Sequence, residues 1–243
     1  MIIEFRVSNH KSFKSETTLK LAASNYDKSL PDNVIEANLP GLTDLRVVKA
    51  VALYGPNAGG KSNVLLALRF LRWLVVESAT GQKPEAELPT EPFLLDPAYV
   101  GQPTMLELTF VADKVRYELA VAVTRKRIIQ ERLVAYPTSR GQVWYDRVWN
   151  PESGQYDWSP DKPVDFVRDP SLVAATRDNA LFLSTATQLN NSQVAPVYRW
   201  FDDQLRFLNL GAGWSLGKDF TAELISESLD AKEAIQNLSL IHI

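Results

Sequence analysis

The sequence predicts an α/β fold, and three observations carry that prediction. A nearly continuous apolar run, "VVKAVALY" at residues 47–54, ends at a glycine, as a buried central strand does. Apolar residues then recur at helical spacing over residues 61–80. Further on, four runs between residues 104 and 149 alternate apolar and polar side chains, the pattern of an antiparallel β-meander. Strand, glycine-rich turn and helix beside a meander imply a mixed sheet.

The elements follow in order. In "IIEFRV", Ile3, Phe5 and Val7 alternate with Glu4 and Arg6, which predicts a half-buried strand, and "TTLKLAA" pairs with it as an N-terminal hairpin. Residues 24–45 carry Pro31, Pro40, Gly41 and several Asn and Asp, and read as a loop. Val64, Leu68, Leu71 and Val75 share one helix face, with Arg69, Arg72 and Glu77 turned away. No Gly or Pro interrupts residues 61–80. Pro84, Pro89, Pro92, Pro97 and Pro103 make the next segment an irregular surface excursion. "TMLELTFV" and "VRYELAVAV" form a hairpin about Ala112-Asp113-Lys114, "IIQERLVAY" and "QVWYDRVW" continue it, and Tyr156–Trp158 adds a short strand. From Ser171 onward the pattern is helical in parts, clearest in "VYRWFDDQLRFL". A nucleotide-binding lobe over residues 1–190 and the beginning of a helical lobe over 191–243 are the expected domains.

Composition excludes several chemistries. A chain of 243 residues at 45% hydrophobic supports a real core. The formal charge of −3 argues against coating nucleic acid by bulk electrostatics, and "TRKR" at Thr124–Arg127 reads as a solvated face. No cysteine is present, which removes disulfides, thiolate catalysis and thiolate zinc sites. With only His10 and His242, a histidine metal site or a Ser-His-Asp triad is close to excluded. Glu4 and Arg6 break the opening as a secretion signal. Arg69 and Arg72 break the most apolar helical run, so a cytoplasmic protein without membrane attachment is expected. Asp96, Asp113 and Asp146 read as turn residues, and the six tryptophans as packing.

The chemistry lies in Gly55-Pro56-Asn57-Ala58-Gly59-Gly60-Lys61-Ser62, which fits G-x-x-x-x-G-K-[ST]. A triphosphate needs several donors converging on anionic oxygens, and successive backbone N–H groups in a tight loop supply them. Glycines at 55, 59 and 60 allow positive φ and a close approach. The loop opens into a helix N-terminus, where unpaired N–H groups and the dipole favour an anion. Lys61 is the candidate catalytic residue, bridging β and γ phosphates. The Ser62 hydroxyl is the candidate ligand for Mg²⁺, a hard cation that takes oxygen. "AGWSLGKDF" lacks the upstream glycine and is not a second cradle.

"GPNAGGKSN" (residues 55–63) resembles the P-loop of ABC-type ATPases of the SMC, recombination-repair and OLD-like branch, G-P-N-[GA]-S-G-K-S-N. Pro56, Asn57 and Asn63 are the distinguishing extras, so all of 55–63 enter the expected nucleotide site. Gly59 stands where serine is usual, which keeps the backbone donor. The opening "FRVSNHKSFKSETTLKL" resembles the N-terminal hairpin of these proteins, with His10 in place of the usual aromatic. "PFLLDP", "PTMLELTF" and "NALFLSTATQLNN" extend the resemblance to bacterial AAA family ATPases with an AAA-type core domain, over residues 1 to about 210. The resemblance implies a P-loop NTPase of ABC-ATPase type using ATP and Mg²⁺. It implies Lys11 and Ser12 near the nucleotide, and a glutamine at a strand end, best matched by Gln188, reaching Mg²⁺. A helix-surface glutamine is the competing reading of Gln188.

No Asp-Glu strand, LSGG-like signature or switch histidine follows Ser62, so the chain reads as truncated, and the closing "LSLIHI" resembles adapter read-through. The expected function is the ATP–Mg²⁺-binding part of an ATPase that hydrolyses ATP as a full-length homodimer. DNA transactions or anti-phage defence, with a nuclease partner and DNA, are implied by resemblance alone. A non-catalytic binding module is the alternative. A small P-loop kinase or GTPase is the weaker one, since an N-K-x-D motif is absent and the meander suits neither.

Overall fold

The computed structural model describes residues 1–207 apart from 25, 27, 41 and 160–168. The chain divides into Met1–Leu205 and Arg206–Ile243. "AGWSLGKDF", "LSLIHI" and most of the expected second domain lie outside the described residues.

Seven strands form one sheet: β1 (Ile2–Ser8), β2 (Thr17–Lys20), β5 (Thr104–Ala112), β6 (Val115–Val123), β7 (Ile128–Tyr136), β8 (Gln142–Asn150) and β9 (Gln155–Ser159). Their order is β2-β1-β5-β6-β7-β8-β9, and every pairing is antiparallel. The meander is thus as the alternation predicts. Asp113 and Lys114 both take positive φ (46° and 64°) in the tight β5–β6 turn, matching the twist of the strands it joins. One face of the sheet is core, with Phe5, Leu108, Phe110, Leu119 and Leu133 fully buried. The other is solvated and carries cross-strand charge pairs such as Arg6–Glu107 and Arg132–Asp146. Asp146 therefore lies within β8, where it also accepts a 2.9 Å hydrogen bond from Gln130, and not in a turn.

Two further expectations are corrected. Residues 24–45 are not simply a loop. A 3₁₀ turn at Pro31–Asn33 leads into a separate hairpin, β3 (Val34–Leu39) with β4 (Leu42–Val48). Pro40, read as a loop residue, follows the first of its two strands, and Gly41 lies outside the described residues. The sheet is also not mixed, because "VVKAVALY" is not a central strand. Val47 and Val48 end β4, and residues 49–60 belong to no strand. A strand exists only through hydrogen-bonded neighbours, and Val51–Tyr54 have none among the described residues; Val51, Leu53 and Tyr54 are exposed.

Helix α1 (Lys61–Glu77) packs on the sheet through Val64, Ala67, Leu68, Phe70, Leu71, Leu74 and Val75. The larger of these side chains contribute on the order of 10 kcal/mol of burial. The short helix α2 (Pro97–Val100) is capped by Asp96, which accepts from Ala98 N at 3.0 Å. Then come α3 (Pro170–Ala175), α4 (Phe182–Gln188), α5 (Ala195–Arg199) and a π-helical turn at Trp200–Gln204. Arg72 on α1 donates to the carbonyls of Phe201 (2.9 Å) and Asp202 (3.2 Å), which fastens that turn to α1.

A buried polar group joins meander and helices. Glu131 and Arg147 are fully buried, with Arg147 Nε 2.9 Å from Glu131 Oε2 in ion-pair geometry. Glu131 accepts from the Tyr145 hydroxyl (2.8 Å) and from the first amides of α4, Phe182 (2.6 Å) and Leu183 (2.9 Å). Arg147 donates to the carbonyl of Ala180. Burial, with Glu131 beside it, holds the Tyr145 hydroxyl well above its ordinary value. Because each carboxylate oxygen is satisfied, the pair is tolerated. Loss of one partner would leave a buried charge, at a cost of about 3–5 kcal/mol.

His10 fills an aromatic position as an aromatic. It is 2% exposed, its ring stacks on Phe70 at 6.4 Å, and neither ring nitrogen has a hydrogen-bond partner among the described residues. Burial lowers its pKa from 6.5 to about 4, with Lys11 pushing the same way and Glu91 opposing. As pH falls, the unfolded chain takes up this proton before the folded one. Stability is thus fully present above 6.5 and is lost as pH falls towards about 4. The variant His10→Phe is expected to match or exceed the parent at neutral pH, since a buried unpartnered group costs about 1–3 kcal/mol. It is also expected to lose less stability on acidification, read as the change in urea midpoint between pH 7 and pH 4.5 (about the window of the shift).

Candidate nucleotide site

The loop at residues 55–62 is bent and wholly on the surface, with residues 51–59 exposed. Its last turn depends on Gly60, which holds φ +84° as the residue before the first turn of α1. A Cβ there would lie 2.9 Å from Phe13 Cε1 and 3.0 Å from Ser12 Oγ. Both the backbone conformation and the close approach of the N-terminal turn therefore require glycine. At Gly59 a Cβ would stand 3.0 Å from the carbonyl oxygen of Pro56, the group that accepts the Gly59 amide at 3.2 Å. A side chain there would require that turn to give by a few tenths of an ångström.

Beyond Gly60 the helix begins with open donors. Asn63 N and Val64 N both donate to Gly60 O, at 2.9 and 3.3 Å. The amides of Gly60, Lys61 and Ser62 find no backbone acceptor among the described residues. Three unspent donors at the positive end of a 17-residue helix suit an anion. Lys61 Nζ stays on the same loop and donates to the carbonyls of Gly55 (2.8 Å) and Pro56 (2.6 Å). Ala58 contributes a second left-handed residue at φ 63°, and Ser62 is exposed on the first helical turn, open to a hydrated cation. These residues fit a polyphosphate: donors converge, side chains are absent where a Cβ would intrude, and one cation is poised at the rim.

The N-terminal turn closes one side. Asn63 Nδ2 donates to Ser12 Oγ at 2.7 Å, across 51 residues of sequence. Lys11 pairs with Glu91 at 2.6 Å. Ser12 thus lies against the loop, while Lys11 is turned to Glu91. Gln188 is corrected. Most of "ALFLSTAT" lies in α4 and not in a strand, and Gln188 is the exposed last residue of that helix. It does not hold the strand-end position on which its metal role rested. Glu131, Arg147 and Asn9 had escaped sequence reasoning, because a lone polar residue within a strand or turn carries no spacing signal.

Among the described residues no helix is long and apolar enough to cross a membrane, and no cluster of metal-binding side chains occurs. The family model described as AAA domain, AbiEii toxin-like, type IV toxin–antitoxin system, matches residues 50–228. The chain belongs to that family of AAA domains. Membership suggests nucleotide binding, the use of Mg²⁺ and ATPase activity in general terms. No curated protein and no solved structure matches the chain.

The variant Gly60→Ala should fold, since α1 is anchored elsewhere, yet lose nucleotide affinity at least about tenfold as Phe13 and the loop are displaced. Titration with a fluorescent ATP analogue checks this, and unchanged affinity would remove Gly60 from the site.

Proposed function

We propose that this chain is the ATP–Mg²⁺-binding part of an ABC/SMC-like ATPase of the OLD-like and recombination-repair branch. The observation that carries the reading is the bend at Gly60, which leaves the amides of Gly60, Lys61 and Ser62 open beside the Lys61 ammonium. Lys61 exchanges two neutral carbonyl acceptors for anionic phosphate oxygens, a stronger charge-assisted interaction. Ser62 holds Mg²⁺, which neutralises charge on the phosphates when bound. Phosphoryl transfer of this kind relies on positioning and charge neutralisation, so backbone donors and a lysine are the parts this chain supplies.

Support for the branch comes from Pro56, Asn57 and Asn63 around the loop, and from an N-terminal turn in contact with it through Asn63. Hydrolysis is assigned to a homodimer in which two copies enclose two nucleotides. Residues that activate water would come from outside 1–207, and Gln188 is left out of that set. The family's description names a toxin of a type IV toxin–antitoxin system, which fits a defence role, with DNA or a nuclease as partner, in the cytoplasm.

Lys61→Ala is the direct test. By calorimetry it should abolish detectable ATP–Mg²⁺ binding, a loss of at least about 2–3 kcal/mol, while circular dichroism and the melting midpoint stay at the parent's values. Equal affinity in parent and variant would refute the assignment.

A further inference from the structure

We propose that Ser12 is a positioning residue for the phosphate loop, bracing its bend by accepting the Asn63 amide, and that Asn9 fixes Ser12 from behind. The inference rests on the nucleotide reading above and adds to it a part of the chain outside the G-x-x-x-x-G-K-[ST] motif.

The turn at residues 9–13 is not free to wander. Asn9 and Lys11 hold left-handed conformations, φ 48° and 49°, and His10 and Phe13 exchange backbone hydrogen bonds of 3.0 and 2.8 Å. Such backbone persists only when its surroundings impose it. Asn9 does so from a 4% exposed position. Its side-chain amide donates to the carbonyls of Tyr99 (2.9 Å), Gln102 (2.9 Å) and Pro103 (3.3 Å), and its Oδ1 accepts from Phe93 N (3.0 Å). Its carbonyl accepts from the Thr104 hydroxyl at 2.7 Å. Lys11 N donates to Glu91 O at 2.7 Å, which pins the middle of the turn.

A turn fixed at this many points presents its next two residues rigidly. Ser12 meets Asn63, the third residue of α1, and Phe13 lies against Gly60. The two contacts grip the bend on either side of Lys61 and Ser62. Residues 50–54, which lead into the loop, lie outside the sheet, so the bend takes its support from α1 and from this turn. A supporting group that locks donors in place raises affinity by reducing what binding must order.

The test is a double-mutant cycle on ATP–Mg²⁺ affinity, measured by calorimetry on the full chain beside Lys61→Ala. Ser12→Ala and Asn63→Ala should each weaken binding about fivefold, the worth of one hydrogen bond. The double variant should be no weaker than the worse single one, because both remove the same contact. Ser12→Thr, which keeps the hydroxyl, should restore affinity. If Lys61→Ala abolishes binding while Ser12→Ala and Asn63→Ala retain parental affinity, or their losses multiply, the brace is refuted and the nucleotide site stands. A fall in melting midpoint large enough to account for the lost affinity refutes the brace equally. If Lys61→Ala binds as the parent does, the nucleotide reading itself fails.

Discussion

The structure depends on the burial of α1 against the inner face of the sheet. Val64, Leu68, Leu71 and Val75, with Phe70 and Leu74 beside them, form an apolar stripe with no alternative to that face. Its C-terminal end is tied again, because Ser78 Oγ accepts from Leu181 N and Ser184 Oγ from Ala79 N, at 3.0 and 3.2 Å. Arg177 adds hydrogen bonds of 2.9 and 3.1 Å to the carbonyls of Ser78 and Ala79. With one end locked and one face buried, the N-terminal end of the helix is left at the surface, its amides pointing into the loop.

The helix is held by a platform that is itself stitched together. The meander places Glu131 and Arg147 on neighbouring strands, and the carboxylate reaches past Arg147 to the first amides of α4. Since α4 also packs on α1, the buried ion pair and the phosphate loop are linked through two helices. The desolvation that makes such a pair expensive is offset only by full satisfaction of its oxygens, so its geometry tolerates little displacement. Order at the loop is thus inherited from the interior and then completed by the N-terminal turn.

Much of this was legible in the residues. Alternation over residues 104–149 located the meander because one face is core and the other solvated, and period 2 records that directly. The helix at 61–77 was legible because its stripe is continuous, and the loop because glycines and a lysine have few other reasons to take that spacing. What failed shares one cause. "VVKAVALY" has the composition of a buried strand, but composition does not name a hydrogen-bonding neighbour, and residues 51–54 have none among the described residues. "ALFLSTAT" is apolar and buried on all sides, a state in which strand and helix look alike. Pro31, Pro40 and the several Asn and Asp concealed the β3–β4 hairpin, because their composition is that of a loop. The Asn9 and Glu131 networks reach residues as far as 95 and 51 positions away, which no local pattern records.

The central claim is that the amides of Gly60, Lys61 and Ser62 converge on a polyphosphate. Titration of the isotopically labelled protein with ATP–Mg²⁺, followed by nuclear magnetic resonance, reads those three groups individually. The account predicts that their amide protons move downfield together and saturate with one affinity, while those of β8 stay in place. Amides at 60–62 that remain unmoved at saturating nucleotide, with shifts arising elsewhere, would contradict it.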